Sequence, residues 1–360
     1  MNIVGLTKNQ EGRIEWIDAL KGFTIILVVF SHVELYSLGM RTSASALNSF
    51  FITFRMPLFF FLSGFVAFRV DKVWTSRQLF CDIKKKLRIQ LIPMLFFGII
   101  YTLIRNQSIS SFFLDTQHHG YWFTLVLLEI FLLYFSISFF CYNKCKNKWT
   151  EDIILVLLAG GLCLLNCFTE SIRDNSIYNI LSCGYFLGHF LWFVSGHLCS
   201  KYFHLFQSAI SNPYSMAAFV LSWAGCFYLT GLNWSEDFFP RSIHFIINLL
   251  TSLWGIIVVV SFFIKNRTMF SKSTIKGRTL QYIGRRTLDI YLLHFFLLPV
   301  IPKLGGFFLR QPNIVLEGTL VFSISLLIVA FCILISNIIR LSPFLSHWLF
   351  GVKYTTVDAK

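Results

Sequence analysis

The feature that most constrains this chain is a succession of long apolar segments joined by short polar connections. Each segment approaches the roughly 20 residues that a helix needs to cross the hydrocarbon core of a bilayer. Lipid offers the backbone no hydrogen-bond partners, so the segments are predicted to be α-helices. The predicted fold class is all-α, a polytopic integral membrane bundle of about ten transmembrane helices. The predicted spans lie at about 17–37, 47–68, 87–104, 121–142, 152–169, 177–199, 214–231, 243–264, 281–302 and 314–338.

The composition supports a membrane protein. Of the 360 residues, 56% are apolar and 13% are charged, and the mean hydropathy is +0.67. Soluble domains carry about 25% charged residues, so a soluble enzyme and a disordered chain are both excluded. The nine cysteines lie mostly inside apolar segments. Neither helically spaced pair, Cys141 with Cys145 or Cys163 with Cys167, has a His or acidic neighbour that would complete a metal site, so no metal is expected.

The basic residues indicate the orientation of the chain in the membrane. The net charge is +14. The connections after the second, fourth and eighth spans are rich in Lys and Arg, and the alternate connections are poor in them. By the positive-inside rule, this alternation places both termini in the cytoplasm. The predicted organisation is a cytoplasmic segment at 1–16, a transmembrane domain at 17–340 and a cytoplasmic tail at 341–360. No soluble basic face suited to nucleic acid is present.

Ionisable side chains inside spans are costly, and they are candidates for function. Lys21 and His32 are eleven residues apart in the first span. Eleven residues complete almost three helical turns, so both project from one face, about 16 Å apart along the axis. Asp18 precedes Lys21 by three residues and could pair with it. The structural alternative is that Lys21 extends to the interface while His32 bonds to a neighbouring helix.

Further ionisable residues are predicted to reach a similar depth from other spans. Arg55 lies near the middle of the second span, Glu129 two turns into the fourth, and His294 in the ninth, beside Tyr291. Their convergence with His32 predicts a site between the midplane and the outer half of the membrane. The alternatives are an Arg55–Glu129 ion pair that only joins helices, and packing roles for the remaining histidines. The other ionisable residues in or near spans are Glu34, His189, His197, His244, Asp289 and Glu317.

Five stretches of sequence, in order, carry a family resemblance. They are RIEWIDALKGFTIILVVFSH, RMPLFFFLSGFVAF, KKKLRIQLIPMLF, YWFTLVLLEI and GRRTLDIYLLHFF, and SPFLSHWLFG closes the series. The chain resembles the acyltransferase-3 family of bacterial integral-membrane O-acyltransferases, and within it the branch named for fucose 4-O-acetylase. The family's mark is a basic residue, ten intervening residues and a His, which here are Lys21 and His32. The family's usual basic residue at this position is Arg, so Lys21 departs from the pattern. Lysine is a point charge, so this residue is less suited than arginine to bidentate binding of a phosphate.

The resemblance implies that an acyl group, usually acetyl, passes from cytoplasmic acyl-CoA to a hydroxyl of a cell-envelope polysaccharide or lipid-linked sugar. It implies a multi-pass protein of the bacterial inner membrane, with acetyl-CoA as donor substrate and no bound cofactor. His32 would act as general base or as covalent acyl carrier, with Arg55 stabilising the oxyanion. The full predicted site comprises catalytic His32, Lys21 and Arg55; substrate-binding Asp18, Glu129, Trp122, Tyr291 and His294; and donor-binding Lys84, Lys85, Lys86 and Arg88. Trp122 also suits an interfacial aromatic belt.

A transporter or flippase of lipid-linked saccharides is the alternative function, with the polar band as its substrate path. Inverted repeats are typical of many transporters, and no internal repeat is evident in the sequence. The sequence leaves open the acceptor sugar, the position acylated and the oligomeric state.

The charge pattern makes a prediction about topology. Single cysteines introduced near Asp115 should react with a membrane-impermeant reagent in intact cells. Cysteines near Lys85 should react only after permeabilisation, because that connection is rich in basic residues. Labelling near Lys85 from outside would reverse the orientation.

Overall fold

The computed structural model describes residues 13–70, 72–145, 147, 149–169, 172–231 and 238–351, with the side chains of 238–242 left undescribed. The described residues form α-helices and contain no β-strand, which confirms the predicted all-α fold class. The helices are α1 Glu15–His32, α2 Ala46–Ile52, α3 Arg55–Ala67, α4 Ser76–Lys86, α5 Ile92–Ile104, α6 Ile109–Leu114, α7 Trp122–Lys144, α8 Thr150–Asn166, α9 Ser176–Ile180, α10 Cys183–Lys201, α11 Phe203–Ser211, α12 Pro213–Thr230, α13 Phe238–Lys265, α14 Ile275–Arg285, α15 Thr287–Leu293, α16 Pro302–Arg310, α17 Ile314–Ile339 and α18 Pro343–Phe350.

Six helical stretches in the described chain are long and apolar enough to cross a membrane. They are Glu15–Ser37, Ala46–Ala67, Ser76–Ile104, Trp122–Lys144, Ile243–Lys265 and Ile314–Ile339. A seventh crossing is possible if Thr287–Leu297 and Pro302–Arg310, which meet at a bend of 91°, form one broken span. The helices α8, α10 and α12 occupy the predicted fifth, sixth and seventh spans but are shorter or less apolar. The membrane character is confirmed, and the count of about ten stays a prediction.

The chain forms two compact units. Of the described residues, the first unit contains those up to Leu62 and those of 202–333, and the second contains those of 63–201 and those from Leu334 to Gly351. In the first unit, α1 is the central helix, and its residues from Thr24 to Ser31 are all buried. It contacts α2, α13, α14 and α15.

Two glycines allow α1 and α14 to touch through their backbones. A Cβ atom added to Gly22 would collide with the Leu280 carbonyl, and one added to Gly284 would collide with the Asp18 carbonyl. Small residues let membrane helices approach this closely, and the close approach increases van der Waals contact. The contact fixes the end of α1 that carries Asp18 and Lys21.

Three departures from straight helix place polar side chains in the first unit. The second span breaks at Thr53 and Phe54, between α2 and α3, because Pro57 has no N–H to donate to the Thr53 carbonyl one helical turn back. Arg55 therefore starts α3. A π-helical turn, Val33–Ser37, follows α1 directly after His32. The predicted ninth span is also interrupted, since α15 passes into a 3₁₀ turn, His294–Leu297, before the 91° bend.

In the second unit, α7, α8 and α10 pack against one another, and α4 packs on α7. The Gly64 backbone meets the Phe193 carbonyl, where a Cβ would collide with it. Phe193 also makes an edge contact with Phe131, with ring centroids 5.2 Å apart. An ion pair between Lys201 Nζ and Asp152 Oδ1, at 2.7 Å, joins α10 to α8. The short terminal helix α18 packs on α5.

The contact between α1 and α14 predicts the effect of a one-carbon change. Gly284→Ala should destabilise the protein by at least about 1–3 kcal/mol, the usual cost of overpacking, because the new methyl group meets rigid backbone. The matched control is Gly161→Ala in α8, where an added Cβ meets nothing within 4 Å. Alanine is favoured over glycine in helices, so the control should be neutral or stabilising. Thermal unfolding followed by size-exclusion chromatography in detergent measures both variants, and equal melting temperatures would contradict the packing account.

Candidate active site

Two histidines from distant parts of the sequence meet in the first unit. His32 Nδ1 lies 2.7 Å from His294 Nε2, which is hydrogen-bonding distance. The two rings are nearly parallel, with centroids 5.0 Å apart and an interplanar angle of 10°. His294 is fully buried, whereas His32 is half-buried. The structure therefore brings together two of the residues that the sequence placed in one site.

The local chain geometry explains how the two rings meet. His32 is the last residue of α1, where the π turn begins, and His294 starts the 3₁₀ turn after α15. His294 Nδ1 lies 3.0 Å from the Ile290 carbonyl oxygen, one helical turn back. Phe295 packs against both histidines, with ring centroids at 4.9 Å from His32 and 4.1 Å from His294. Tyr291, a predicted substrate-binding residue, is buried, and its ring lies 6.1 Å from that of His294.

Arg55 is the cation of this cluster. Its side chain is 8% exposed, and its Nε and Nη1 have no hydrogen-bond partner among the described residues. It lies within electrostatic range of His32, Glu34 and Tyr36. A buried guanidinium with unused donors is costly unless an anion or a polar group completes it. Arg55 therefore presents two nitrogens with unused N–H groups within electrostatic range of His32.

Two buried carboxyl groups have no role in the predicted site: Glu34 lies within electrostatic range of Arg55, and Glu317 interacts with Glu34. Glu34 is fully buried, and its Oε1 accepts a hydrogen bond of 2.9 Å from Ser45 Oγ. Glu34 and Glu317 interact with each other, and each keeps one buried carboxyl oxygen that has no hydrogen-bond partner among the described residues. Ser45 also caps α2 by accepting from the Asn48 N–H. The signal in the sequence was the proximity of Glu34 to His32, but the π turn that turns Glu34 inward was not foreseeable from helical periodicity.

Lys21 and Asp18 lie at the other end of α1, about 16 Å from His32 by helix geometry. Both are half-buried. Asp18 makes a loose ion pair with Arg13, with Nη1 and Oδ2 3.8 Å apart, and interacts electrostatically with Lys21. Asp18 therefore interacts with Arg13 as well as with its predicted partner Lys21. The structure keeps Lys21 on the helix that carries His32 but does not bring the two side chains together.

The remaining predicted residues belong to the second unit. Glu129 has a buried Oε1 without a hydrogen-bond partner in the described chain. Trp122 stacks on Tyr185, with centroids 4.1 Å apart and an interplanar angle of 18°, and His189 lies 5.4 Å from Trp122. These three rings form an aromatic cluster that the sequence did not reveal, because Tyr185 and His189 come from α10.

The four predicted donor-binding cations fall into two pairs, of which one is exposed and the other contacts neighbouring side chains. Lys84 and Lys85, in the last turn of α4, are exposed. Lys86 Nζ lies over the Phe131 ring at 3.2 Å from its centroid, and Arg88 Nη1 lies 3.0 Å from His347 Nε2. The first two cations are thus open to solvent, whereas the latter two already make contacts within their own unit. Within the described ranges, no group of three or more His, Cys, Asp or Glu side chains is placed to hold a metal ion.

Comparison with known proteins identifies the family. A family model described as an acyltransferase domain matches residues 14–337, which is most of the chain. No curated protein and no solved structure matches the chain. The match covers both histidines, Arg55, Glu34 and Glu317. The chain therefore belongs to the acyltransferase-3 family, and it is a membrane acyltransferase.

Proposed function

We propose that the protein transfers an acyl group, acetyl in the first instance, from acyl-CoA to a hydroxyl group of a cell-envelope glycan or lipid-linked sugar. The observation that carries this proposal is the contact between His32 and His294, together with the unused N–H groups of Arg55, which lies within electrostatic range of His32. The chemistry needs a group that accepts a proton or an acyl group, and a cation for the charge that develops on the carbonyl oxygen. Both lie in one partly buried cluster.

His32 is the reacting group in this proposal. As a general base, it takes the proton of the acceptor hydroxyl while the hydroxyl oxygen attacks the thioester carbon. The new carbon–oxygen bond forms, the carbon–sulfur bond breaks, and the CoA thiolate takes up the proton. As a covalent carrier, the His32 nitrogen attacks the thioester carbon, and the carbon–sulfur bond breaks to release the CoA thiolate. The acceptor oxygen then attacks the acyl carbon, the carbon–nitrogen bond breaks, and the thiolate takes up the proton of the hydroxyl. The arrangement is compatible with both routes.

Arg55 supports either route by stabilising the oxyanion of the tetrahedral intermediate. Its unused N–H groups, on Nε and Nη1, are in place before the reaction, so they need no reorganisation when negative charge appears. A cation in a site of low dielectric is worth more than the same cation in water. Glu34 lies within electrostatic range of Arg55, and its Oε1 accepts a hydrogen bond from Ser45 Oγ.

The donor enters this proposal from the cytoplasmic end of α1. CoA carries several phosphate charges, and Lys21, half-buried near that end of the helix, supplies a cation suited to them. A lysine ammonium acts as a point charge and does not grip a phosphate through two parallel bonds. The acceptor is proposed to be a saccharide hydroxyl, because His32, with Arg55 in its electrostatic range, suits attack by a hydroxyl group.

The first functional prediction concerns His32. His32→Ala should lower acyl transfer by about 10²–10⁴-fold, the usual contribution of a general base. The assay is turnover of acetyl-CoA by purified protein in detergent, normalised to the monodisperse fraction. The matched control is His197→Ala, which removes a buried histidine between Phe68 and Tyr134 in the second unit. The control should reduce yield yet keep normal activity per folded molecule. Full specific activity in His32→Ala would end the proposal that His32 reacts.

The second functional prediction concerns Lys21. Lys21→Ala should raise the KM for acetyl-CoA about 10-fold or more, since a hydrogen bond to a charged group contributes about 1.5–3 kcal/mol. Lys21→Arg should retain near-normal use of the donor, because the family usually carries Arg at this position. Lys303→Ala removes an exposed cation from a connection predicted to lie on the opposite side and should leave the KM unchanged. An unchanged KM in Lys21→Ala would assign Lys21 to the membrane interface alone.

A further inference from the structure

We propose that His294 is a positioning residue that fixes the tautomer of His32, so that Nε2 of His32 is the reacting nitrogen. This proposal rests on the proposed function and adds the role of a second histidine to it. The sequence had placed His294 among the substrate-binding residues. The geometry instead points to an action through His32.

The ring nitrogen that carries the proton in each histidine can be deduced from the Ile290 carbonyl oxygen, which can only accept a hydrogen bond. The Ile290 carbonyl oxygen has no hydrogen to give, so the 3.0 Å contact requires His294 Nδ1 to donate. A neutral imidazole carries one N–H, so His294 Nε2 then holds a lone pair. The 2.7 Å contact to that lone pair requires His32 Nδ1 to donate. His32 therefore keeps its own lone pair on Nε2.

The surroundings of His294 support its neutral form. Its side chain is completely buried, and it forms no ion pair with a carboxylate within the described part of the chain. Its other neighbours are the rings of Phe295 and Tyr291. An imidazolium there would be a buried charge without a counter-ion, which is strongly unfavourable.

The two imidazole rings differ in solvent exposure, as expected if His32 reacts with the substrate and His294 only positions His32. His32 is half-buried and can meet a substrate, whereas His294 has no exposed surface. The Ile290 carbonyl also accepts the backbone N–H of His294, so the backbone and the ring of this residue are anchored at one oxygen. His294 is thus held rigidly at both its nitrogens, which favours a fixed partner over a mobile ligand.

The relay also suits the reaction itself. When His32 Nε2 takes a proton from a hydroxyl, or forms a bond to the acyl carbon, His32 becomes a cation with its Nδ1–H intact. That N–H still donates to His294 Nε2, so no existing hydrogen bond has to break. A hydrogen bond from a charged donor is stronger than one from a neutral donor, so the contact stabilises the charged state more than the resting state. The same logic explains why loss of a tautomer-holding group in a serine-protease triad costs about 10⁴ in kcat.

The kinetic test compares two replacements of His294. Glutamine keeps an oxygen that can accept from His32 Nδ1, whereas leucine keeps bulk and offers no acceptor. His294→Leu should lower kcat for acetyl-CoA turnover by about 10²-fold or more, with the KM within about 2-fold of wild type. His294→Gln should recover at least about 10-fold of that loss, since the oxygen restores the acceptor. Equal kcat values in the two variants, or a loss confined to KM, would overturn the positioning role.

The direct test measures the tautomer by nitrogen-15 NMR of protein labelled at histidine, in detergent and without substrate. His32→Gln assigns the His32 signals by their disappearance. Above the titration range of histidine, wild-type His32 should show a protonated Nδ1 and an unprotonated Nε2, and His294→Leu should shift the signals towards a mixture of tautomers. A protonated Nε2 in wild type, or no change in His294→Leu, would overturn the proposal. The spectrum needs no turnover, so its failure is distinguishable from failure of the proposed function, which His32→Ala tests.

Discussion

The structure depends on one constraint: a membrane interior supplies no water, so each polar group placed there must find its partner within the protein. Most of the buried backbone meets this demand by forming helix. The side chains around His32 meet it in pairs, with His32 bonded to His294 and Glu34 bonded to Ser45. This demand is only partly met, because one oxygen each of Glu34 and Glu317 and the Nε and Nη1 donors of Arg55 have no partner among the described residues. In a site of low dielectric, a developing oxyanion would satisfy the unused donors of Arg55.

The cluster of His32, Arg55 and His294 forms where the helices depart from regular α-helical geometry. His32 lies at the junction of α1 and a π turn, Arg55 starts a helix after a break, and His294 opens a 3₁₀ turn before a 91° bend. Regular helix would satisfy the backbone but direct these side chains along fixed faces. The departures redirect them towards one another. The backbone contact of Gly22 and Gly284 then holds α1 in place beside α14.

Much of the helical fold could be predicted from sequence, because apolar length and the cost of unpaired backbone in lipid leave few options. The pairing of His32 with His294 was anticipated only as a shared depth, since periodicity gives a position along a helix and not the neighbour it faces. Glu34 and Glu317 were recognised as costly residues without a role. Local sequence patterns do not reveal the one-residue change of helical register in the π turn. They also do not reveal the interaction of Glu34 with Glu317, which are 283 residues apart in the sequence. The aromatic cluster around Trp122 was missed for the same reason.

The central claim is that His32 and His294 act as one catalytic unit in acyl transfer. A double-mutant cycle with His32→Ala and His294→Ala, followed by acetyl-CoA turnover per monodisperse molecule, tests it most directly. Residues that act as a unit show strongly non-additive losses. The account predicts that the double variant is no slower than His32→Ala alone, because His294 has no role once its partner is gone. Losses that multiply, so that the double variant is slower by the product of the two single effects, would show that the histidines act independently and would contradict the account.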